Sequence, residues 1–277
     1  MDYGIIVDSC CDMTPQLKER LGVVSVPLVV RLGEKEFQDD ESLNLGVFMA
    51  EMKACTEKAG SASPSPYLYQ EAMAQSRKSF VVTLSSRLSG SYASAVVAQS
   101  AAEEENNAEM HVFDSKSASA GEVLLALKIR ELIQKNISKE GIIQLVNQFI
   151  GSMKTYFVLE NYDNLLKNGR LGKVKEKLIR FLNLKLVMGS DGDGSIALYA
   201  KVRGVKQMVE KLVSLIETSG KNTEGESLVI SHCCNWDVAS QICEIVKNKF
   251  RFKEIFIIPT GGVSSLYADD KGIVMAF

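Results

Sequence analysis

Serine side chains crowd into four short stretches of this chain: Asp8-Ser9-Cys10-Cys11-Asp12, Gly60-Ser61-Ala62-Ser63-Pro64-Ser65, Ser85-Ser86-Arg87-Leu88-Ser89-Gly90-Ser91 and Asp114-Ser115-Lys116-Ser117-Ala118-Ser119-Ala120-Gly121. Hydroxyls set at strand ends and helix starts, where backbone N–H groups lack partners, hold anions and carboxyl groups without an obligatory cation. The third stretch is the most informative. Its Ser89 and Ser91 hydroxyls and the Gly90 amide precede a helical pattern from Tyr92 to Glu104, a setting suited to a carboxylate or a carboxylic acid. The same two serines also have the residue type of ordinary helix caps. Asp114-Ser115 reads as the cap of the long helix that follows, and Asp8-Ser9 with Asp12 as the organiser of a strand-to-helix turn. Pro64 and Pro66 describe a turn and the first turn of a helix from Tyr67 to Gln75.

The elements that must position these loops alternate. Tyr3 to Val7 is an apolar, β-rich run ending at Asp8-Ser9, and Met13 to Leu21 has a helical pattern opened by Thr14-Pro15. Strand signals follow at Val23 to Arg31, Phe80 to Leu84 and Met110 to Phe113. Helix signals cover Leu43 to Ala54, Tyr67 to Gln75, Tyr92 to Glu104 and Ala120 to Gln134. Helices between short apolar strands predict a mostly parallel sheet with helices on both faces.

A further helix, Lys139 to Ser152, precedes a change of character. Thr155 to Glu160 is a strand, Asn161 to Asn168 is helical, and Leu184 to Met188 with Ile196 to Val202 form a hairpin about Ser190-Asp191-Gly192-Asp193-Gly194. Helix Val205 to Thr218, strand Ser227 to Ser231, helix Asp237 to Lys249, strand Glu254 to Pro259 and strand Gly272 to Phe277 complete a mixed sheet. The fold class is therefore α/β in two lobes, 1–152 and 153–277, joined without a flexible linker near Gly151 to Lys154 and packed tightly.

Composition removes several functions. A formal net charge of -2 and a pI near 5.9 leave no basic footprint for nucleic acid. The six cysteines include two adjacent pairs and no CxxC, so neither a zinc ribbon nor a thioredoxin motif is spelled and no metal is expected. The Met1 to Asp8 stretch, with an acid at position two and a short apolar run, is neither a signal peptide nor a membrane span, which points to the cytoplasm.

An enzyme would need a nucleophile, a base and a charge stabiliser, and the imidazoles are His111 and His232 alone. His232 follows a strand, yet one histidine beside Cys233-Cys234 does not encode tetrahedral metal spacing. There is no G-x-S-x-G elbow. Gly192-Asp193-Gly194-Ser195-Ile196-Ala197 matches a dinucleotide fingerprint in letters but sits inside a hairpin, with no helix to receive a pyrophosphate. Gly169-Arg170-Leu171-Gly172-Lys173-Val174 lacks P-loop spacing, so ATP is not expected to bind here. A small-molecule hydrolase or transferase using a serine loop and His232 stands as the alternative reading, with a regulatory module that uses the fold without lipid behind it.

In combination and in order, Val7-Asp8-Ser9, Val26-Pro27-Leu28, the Ser61 to Ser65 loop, Ser85 to Tyr92, Asp114 to Ser119 and Asn168-Gly169-Arg170-Leu171 resemble the DegV family across essentially the whole chain. The resemblance implies two α/β lobes that hold one long-chain fatty acid. It also implies a role as the non-catalytic acyl-binding subunit of bacterial fatty acid kinase, in which a separate ATP-binding subunit phosphorylates the bound carboxylate. No cofactor is implied.

By the same resemblance Ser89, with Gly90 and Ser91, holds the carboxyl, Ser61 stands at a usual Thr position, and Ala62 stands at a usual Ser position and offers only its backbone. Arg170 and Arg203 match arginines implicated in docking the kinase; read from charge alone they belong to a solvated basic patch with Lys167, Lys173, Lys175 and Lys177. Tyr267 stands where many members carry a histidine. A phenol can hydrogen-bond a carboxyl but brings no positive charge. At about 0.8 kcal/mol per buried CH₂, a tail of roughly 14 methylenes supplies on the order of 11 kcal/mol before ordering costs, so a few hydroxyls need only orient the head.

Overall fold

The computed structural model describes residues 3–106, 108–174 and 184–277; Lys175 and Lys177 of the expected basic patch lie outside them. Strands β1 (Gly4–Asp8), β2 (Val23–Val26), β6 (Lys78–Thr83) and β7 (Glu109–Asp114) form a parallel sheet in the order β2-β1-β6-β7. Both faces are covered, which is why these strands read as continuous apolar runs. Alternate residues divide between the faces: Ile6, Val81 and Val112 meet helices α3 (Pro66–Ala74) and α4 (Ser91–Asn106). Ile5, Val7, Phe80, Val82 and Phe113 meet α5 (Ala120–Gln134). Ala95 and Ala98, both fully buried, keep the sheet-facing side of α4 small.

The expected strand from Val23 to Arg31 is two strands. Pro27 has no N–H to give a ladder, and the chain leaves the parallel sheet there. β3 (Val29–Leu32) joins β4 (Lys35–Gln38) and β5 (Ala59–Ala62) in a separate antiparallel sheet ordered β4-β3-β5. Ser61, expected in a loop, therefore lies on a strand. Ser65 then caps α3, accepting from the Leu68 N–H at 3.4 Å, with Pro66 in the first turn.

The second lobe is a six-stranded mixed sheet of β8 (Thr155–Val158), β9 (Lys185–Ser190), β10 (Ile196–Val202), β11 (Ser227–His232), β12 (Glu254–Pro259) and β13 (Ile273–Ala276), ordered β10-β9-β8-β13-β11-β12. β11 and β12 are parallel, and the other described pairs of this sheet are antiparallel. The hairpin between β9 and β10 turns at the expected place, where Asp191 Oδ1 accepts from the N–H groups of Asp193 at 2.9 Å and Ser195 at 3.0 Å.

Helices α8 (Gly204–Thr218) and α9 (Trp236–Lys249) cover one face of this sheet. The other face meets α5: Val229, Ile258 and Ala276 share one core with Leu124, Ile129 and the residues of β1 and β6. α5 is thus sandwiched between the two sheets, with α6 (Lys139–Ser152) packed beside it through Ile142, Val146 and Phe149. The architecture is the α/β class read from the sequence, a parallel amino-terminal sheet and a mixed carboxy-terminal one. Helices α1 (Pro15–Leu21), α2 (Leu45–Ala54) and α7 (Asp163–Lys167) lie outside these layers. A further helix, α10 (Gly262–Ala268), forms where the sequence reads only as a glycine-rich approach to the last strand.

Gly189 in β9 lies opposite Tyr156 and Ala197, and a Cβ there would stand 2.2 Å from the Thr155 backbone oxygen. A backbone carbonyl within a sheet cannot step aside. Gly189→Ala is expected to cost about 1–3 kcal/mol through overpacking, read as a lower denaturant midpoint at unchanged m-value; an unchanged midpoint would rule out this register.

Candidate functional site

Between the strand-end loops of the first lobe and the face of the second sheet lies a cavity whose empty space, open solvent at its mouth included, is about 890 Å³. It is lined by Phe157, Leu159, Ile196 and Val274 from the second lobe and by Leu28, Leu84 and Leu88 from the first. Apolar lining with a few convergent polar groups is the usual make-up of a small-molecule site. Here the polar groups brought together from distant parts of the chain include Ser61, Ser89, Arg170 and Tyr267.

Their local geometry follows from the elements that carry them. Ser61 on β5 and Tyr267 on α10 face each other, with hydroxyl oxygens 3.0 Å apart. Ser89 sits on a single turn whose N–H donates to the Ser85 carbonyl at 3.1 Å. Its hydroxyl oxygen accepts from the Ser91 N–H at 3.2 Å, which leaves the Ser89 hydrogen available to donate. Arg170 is half-buried; its Nε donates to the Leu88 carbonyl at 3.1 Å and its Nη1 to the Asn168 carbonyl. Asn168 in turn donates to the carbonyls of Ala59 and Asn164, both at 2.8 Å, so the end of α7 is tied to β5. Gly169, at φ +73°, makes the left-handed turn that brings Arg170 back to the cavity.

Other expected residues stand elsewhere. Ser91 is fully buried, and its hydroxyl donates to Asp8 Oδ2 at 2.6 Å rather than facing the cavity. Ala62 pairs with Val29 within the small sheet, and Gly90 is exposed beside Ser63; neither contributes to the cavity wall. Arg203 is exposed at the start of α8, its N–H donating to Gln207 Oε1 at 2.8 Å. His232 is not part of the cavity wall: its Nδ1 accepts from the Asn235 N–H at 3.2 Å, and burial lowers its pKa.

Thr155, which reads in the sequence only as the start of a strand, lines the cavity with its hydroxyl 2.7 Å from that of Ser117. Nor did the sequence show that the β9–β10 hairpin walls the cavity, fastened to the other lobe by Ser85 Oγ on the Gly194 carbonyl and Ser190 Oγ on the Lys116 carbonyl, each at 2.8 Å. A glycine at 194 is required there, since a Cβ would lie 2.3 Å from Ser85 Oγ.

The loops are held by buried acids. Asp8 accepts from the N–H groups of Cys10 and Leu84, Asp12 from the Gly261 N–H at 2.7 Å and the Ser119 hydroxyl at 2.5 Å, and Asp39 from the N–H groups of Gly262 at 2.7 Å and Val263 at 2.9 Å. The expected turn-organising role of Asp8 is thus a cross-strand one, reaching Leu84. Asp114-Ser115 does not cap α5 either. Asp114 holds Ser86 and Lys116, while the cap position is Ser119, at φ +56° with its N–H on Glu122 Oε1. Among the described residues no group of His, Cys, Asp or Glu is arranged to hold a metal ion, and no helix is long and apolar enough to cross a membrane.

Fold and cavity together define an α/β protein of two lobes, a parallel and a mixed sheet held apart by α5, with a largely apolar chamber between the lobes. Residues 2–276 match the family model described as "Uncharacterised protein, DegV family", and the chain belongs to the DegV family. It is 35% identical to a DegV domain-containing protein of Streptococcus gordonii, over 100% of this chain and 99% of that one. It is also similar to the crystal structure of a DegV family protein from Ruminococcus gnavus refined with vaccenic acid, with TM-score 0.94, 37% identity and 99% of each chain covered. The Fatty Acid Kinase (Fak) B3 protein of Streptococcus pneumoniae, loaded with linoleic acid, matches with TM-score 0.90 and 32% identity over 100% of this chain and 99% of that one.

Burial pushes the Asp12 carboxyl from 3.8 up to about 7, against the lowering effect of its bonds from Gly261 and Ser119. A carboxyl whose folded pKa is raised adds stability that is complete below its unfolded pKa and lost as pH rises through the folded one. Asp12→Asn keeps an acceptor for Gly261 and removes the titration. The stability difference between wild type and this variant is expected to change in the variant's favour from about pH 4 to about pH 7 and then level; a difference constant across that range would contradict the assignment.

Proposed function

We propose that this protein encloses one long-chain fatty acid in the cavity and presents its carboxylate to a separate kinase subunit, which transfers the γ-phosphoryl group of ATP to it. The observation that carries this reading is the pairing of an apolar chamber with a cluster of hydroxyls and one guanidinium. The tail gains by leaving water, and Ser61, Ser89 and Tyr267 offer directed donors to a carboxylate. Vaccenic and linoleic acids in the two structures named above support the choice of ligand, and the Fak B3 protein supports the kinase role.

In that reaction a carboxylate oxygen attacks phosphorus, the bond from phosphorus to the bridging oxygen of ADP breaks, and an acyl phosphate results. This chain supplies position and polarity: Ser89 directs its hydrogen to the carboxyl, the Ser61–Tyr267 pair flanks it, and Arg170 adds a positive charge at the cavity wall. Arg170 thereby serves the carboxyl end as well as the partner, and the exposed Arg203 serves the partner alone. A hydrolase built on His232 finds no support in the geometry, because His232 does not line the cavity that Ser61 and Ser89 line.

Native mass spectrometry of the purified protein, with organic extraction, is expected to recover one fatty acid per chain; recovery of none, with no uptake of palmitate or oleate, overturns the proposal. Ser89→Ala is expected to weaken oleate binding by about 0.5–1.5 kcal/mol, the worth of one hydrogen bond. Unchanged affinity removes Ser89 from the carboxyl site. Arg203→Ala is expected to bind oleate as wild type does while slowing acyl-phosphate formation with the kinase subunit, measured as hydroxylamine-trapped product.

A further inference from the structure

Tyr69, Ser91, Asp8 and Glu122 form a line of side chains through the interior, each 0% exposed. Asp8 is amply supplied with donors: Oδ1 accepts from the Cys10 N–H at 3.2 Å, and Oδ2 accepts from the Leu84 N–H at 2.9 Å and the Ser91 hydroxyl at 2.6 Å. Since Ser91 commits its hydrogen to Asp8, the Tyr69 phenol 2.6 Å away is the donor of that pair. Glu122 stands differently. Its Oε1 accepts from the Ser119 N–H at 3.2 Å, whereas Oε2 is buried and no donor reaches it. After burial, contact with the Asp8 carboxyl is the strongest influence on Glu122. Two carboxylates cannot share such a contact in the interior unless a proton lies between them. Asp8 has three strong donors, whereas Glu122 has the Ser119 N–H and, beside it, only the weak donor of the Cys10 thiol, so the proton belongs to Glu122.

We infer that Glu122 is held as a neutral carboxylic acid that donates to Asp8, and that this bond positions the Leu84 to Ser91 loop, making Glu122 a positioning residue for the Ser89 end of the cavity. The path is short: Glu122 fixes Asp8, Asp8 fixes Ser91 and Leu84, and the Ser91 N–H fixes the Ser89 hydroxyl. Other titratable groups face the pair from every side: Cys10, Cys11 and Asp12 from the loop after β1, and Tyr69 from α3. Lys18 of α1 acts on Cys11 and Asp39 and is not among the leading influences on Glu122, which are burial first and then Asp8. Both raise the Glu122 pKa, in keeping with the neutral acid. The consequence for ligand binding rests on the fatty-acid reading above; the protonation itself does not.

The test compares wild type, Glu122→Gln and Glu122→Ala. Gln reproduces the acid's pattern, one acceptor for Ser119 and one donor for Asp8, whereas Ala removes both. In the infrared difference spectrum of wild type minus Glu122→Gln at about pH 7.5, a carboxylic-acid C=O band is expected. Oleate affinity is expected to stay within about twofold in Glu122→Gln and to fall about tenfold in Glu122→Ala. Wild-type stability is expected to fall more steeply with rising pH than that of Glu122→Gln, which keeps the contributions of Asp8, Asp12 and Asp39 but lacks that of Glu122. Absence of the band, or a Gln variant as impaired as the Ala variant, overturns the inference. Should Glu122→Ala fail to fold, the spectrum and the Gln pH profile decide alone. Should wild type bind no oleate, the fatty-acid reading fails, and those same two measurements still decide the state of Glu122.

Discussion

The structure depends on burying carboxyl groups at the ends of the first lobe's strands and supplying them with donors from remote segments. Asp8 draws in Leu84 and Ser91, Asp12 draws in Gly261 and Ser119, and Asp39 draws in Gly262 and Val263. A buried carboxyl is tolerated only with its lone pairs engaged or its charge removed by a proton. Burial raises the pKa of all three aspartates and of Glu122. The loops around the cavity consequently have little freedom: moving one exposes or orphans an acid.

This constraint suits a site that must hold hydroxyls in fixed directions without filling the space between them. An apolar chamber has no internal force to keep its walls apart, since its lining would gain contacts by collapsing. Here the walls are held from outside the chamber. α5 stands between the two sheets as a rigid spacer within a continuous core, and the β9–β10 hairpin is fastened across the lobes by Ser85 and Ser190. Several polar groups of the wall are already engaged, Ser117 with Thr155 and Ser119 with the buried Asp12, so much of the wall presents carbon to the cavity.

Much of the scaffold was legible because it is written in local patterns. Strands buried on both faces are apolar runs, and the helices that cover them carry caps and periodicity, so β1, β6, β7 and the α5–α6 pair follow from neighbouring residues alone. Pro27 was visible too, but its effect was not: a missing N–H says that a ladder stops, and only the fold says that the next strand joins another sheet. The glycine-rich segment that forms α10 misled for a similar reason. Its start is stabilised by Asp39, 223 residues away in the chain from Gly262, and no local pattern records such a partner.

The serine stretches themselves are a property of the sequence, and their residue types determine that any site built from them is one of neutral donors rather than of clustered cations. Which serines face the cavity was decided only by the tertiary structure. Ser89 and Ser91 are two residues apart on one turn, yet Ser91 points into the core toward Asp8 and Tyr69 while Ser89 lines the cavity. Ser61 and Tyr267 meet across 206 positions of chain. The reason is physical: a hydroxyl satisfies whichever partner the packing brings within about 3 Å, and that partner is set by the placement of whole strands and helices, on which residues nearby in sequence have no say.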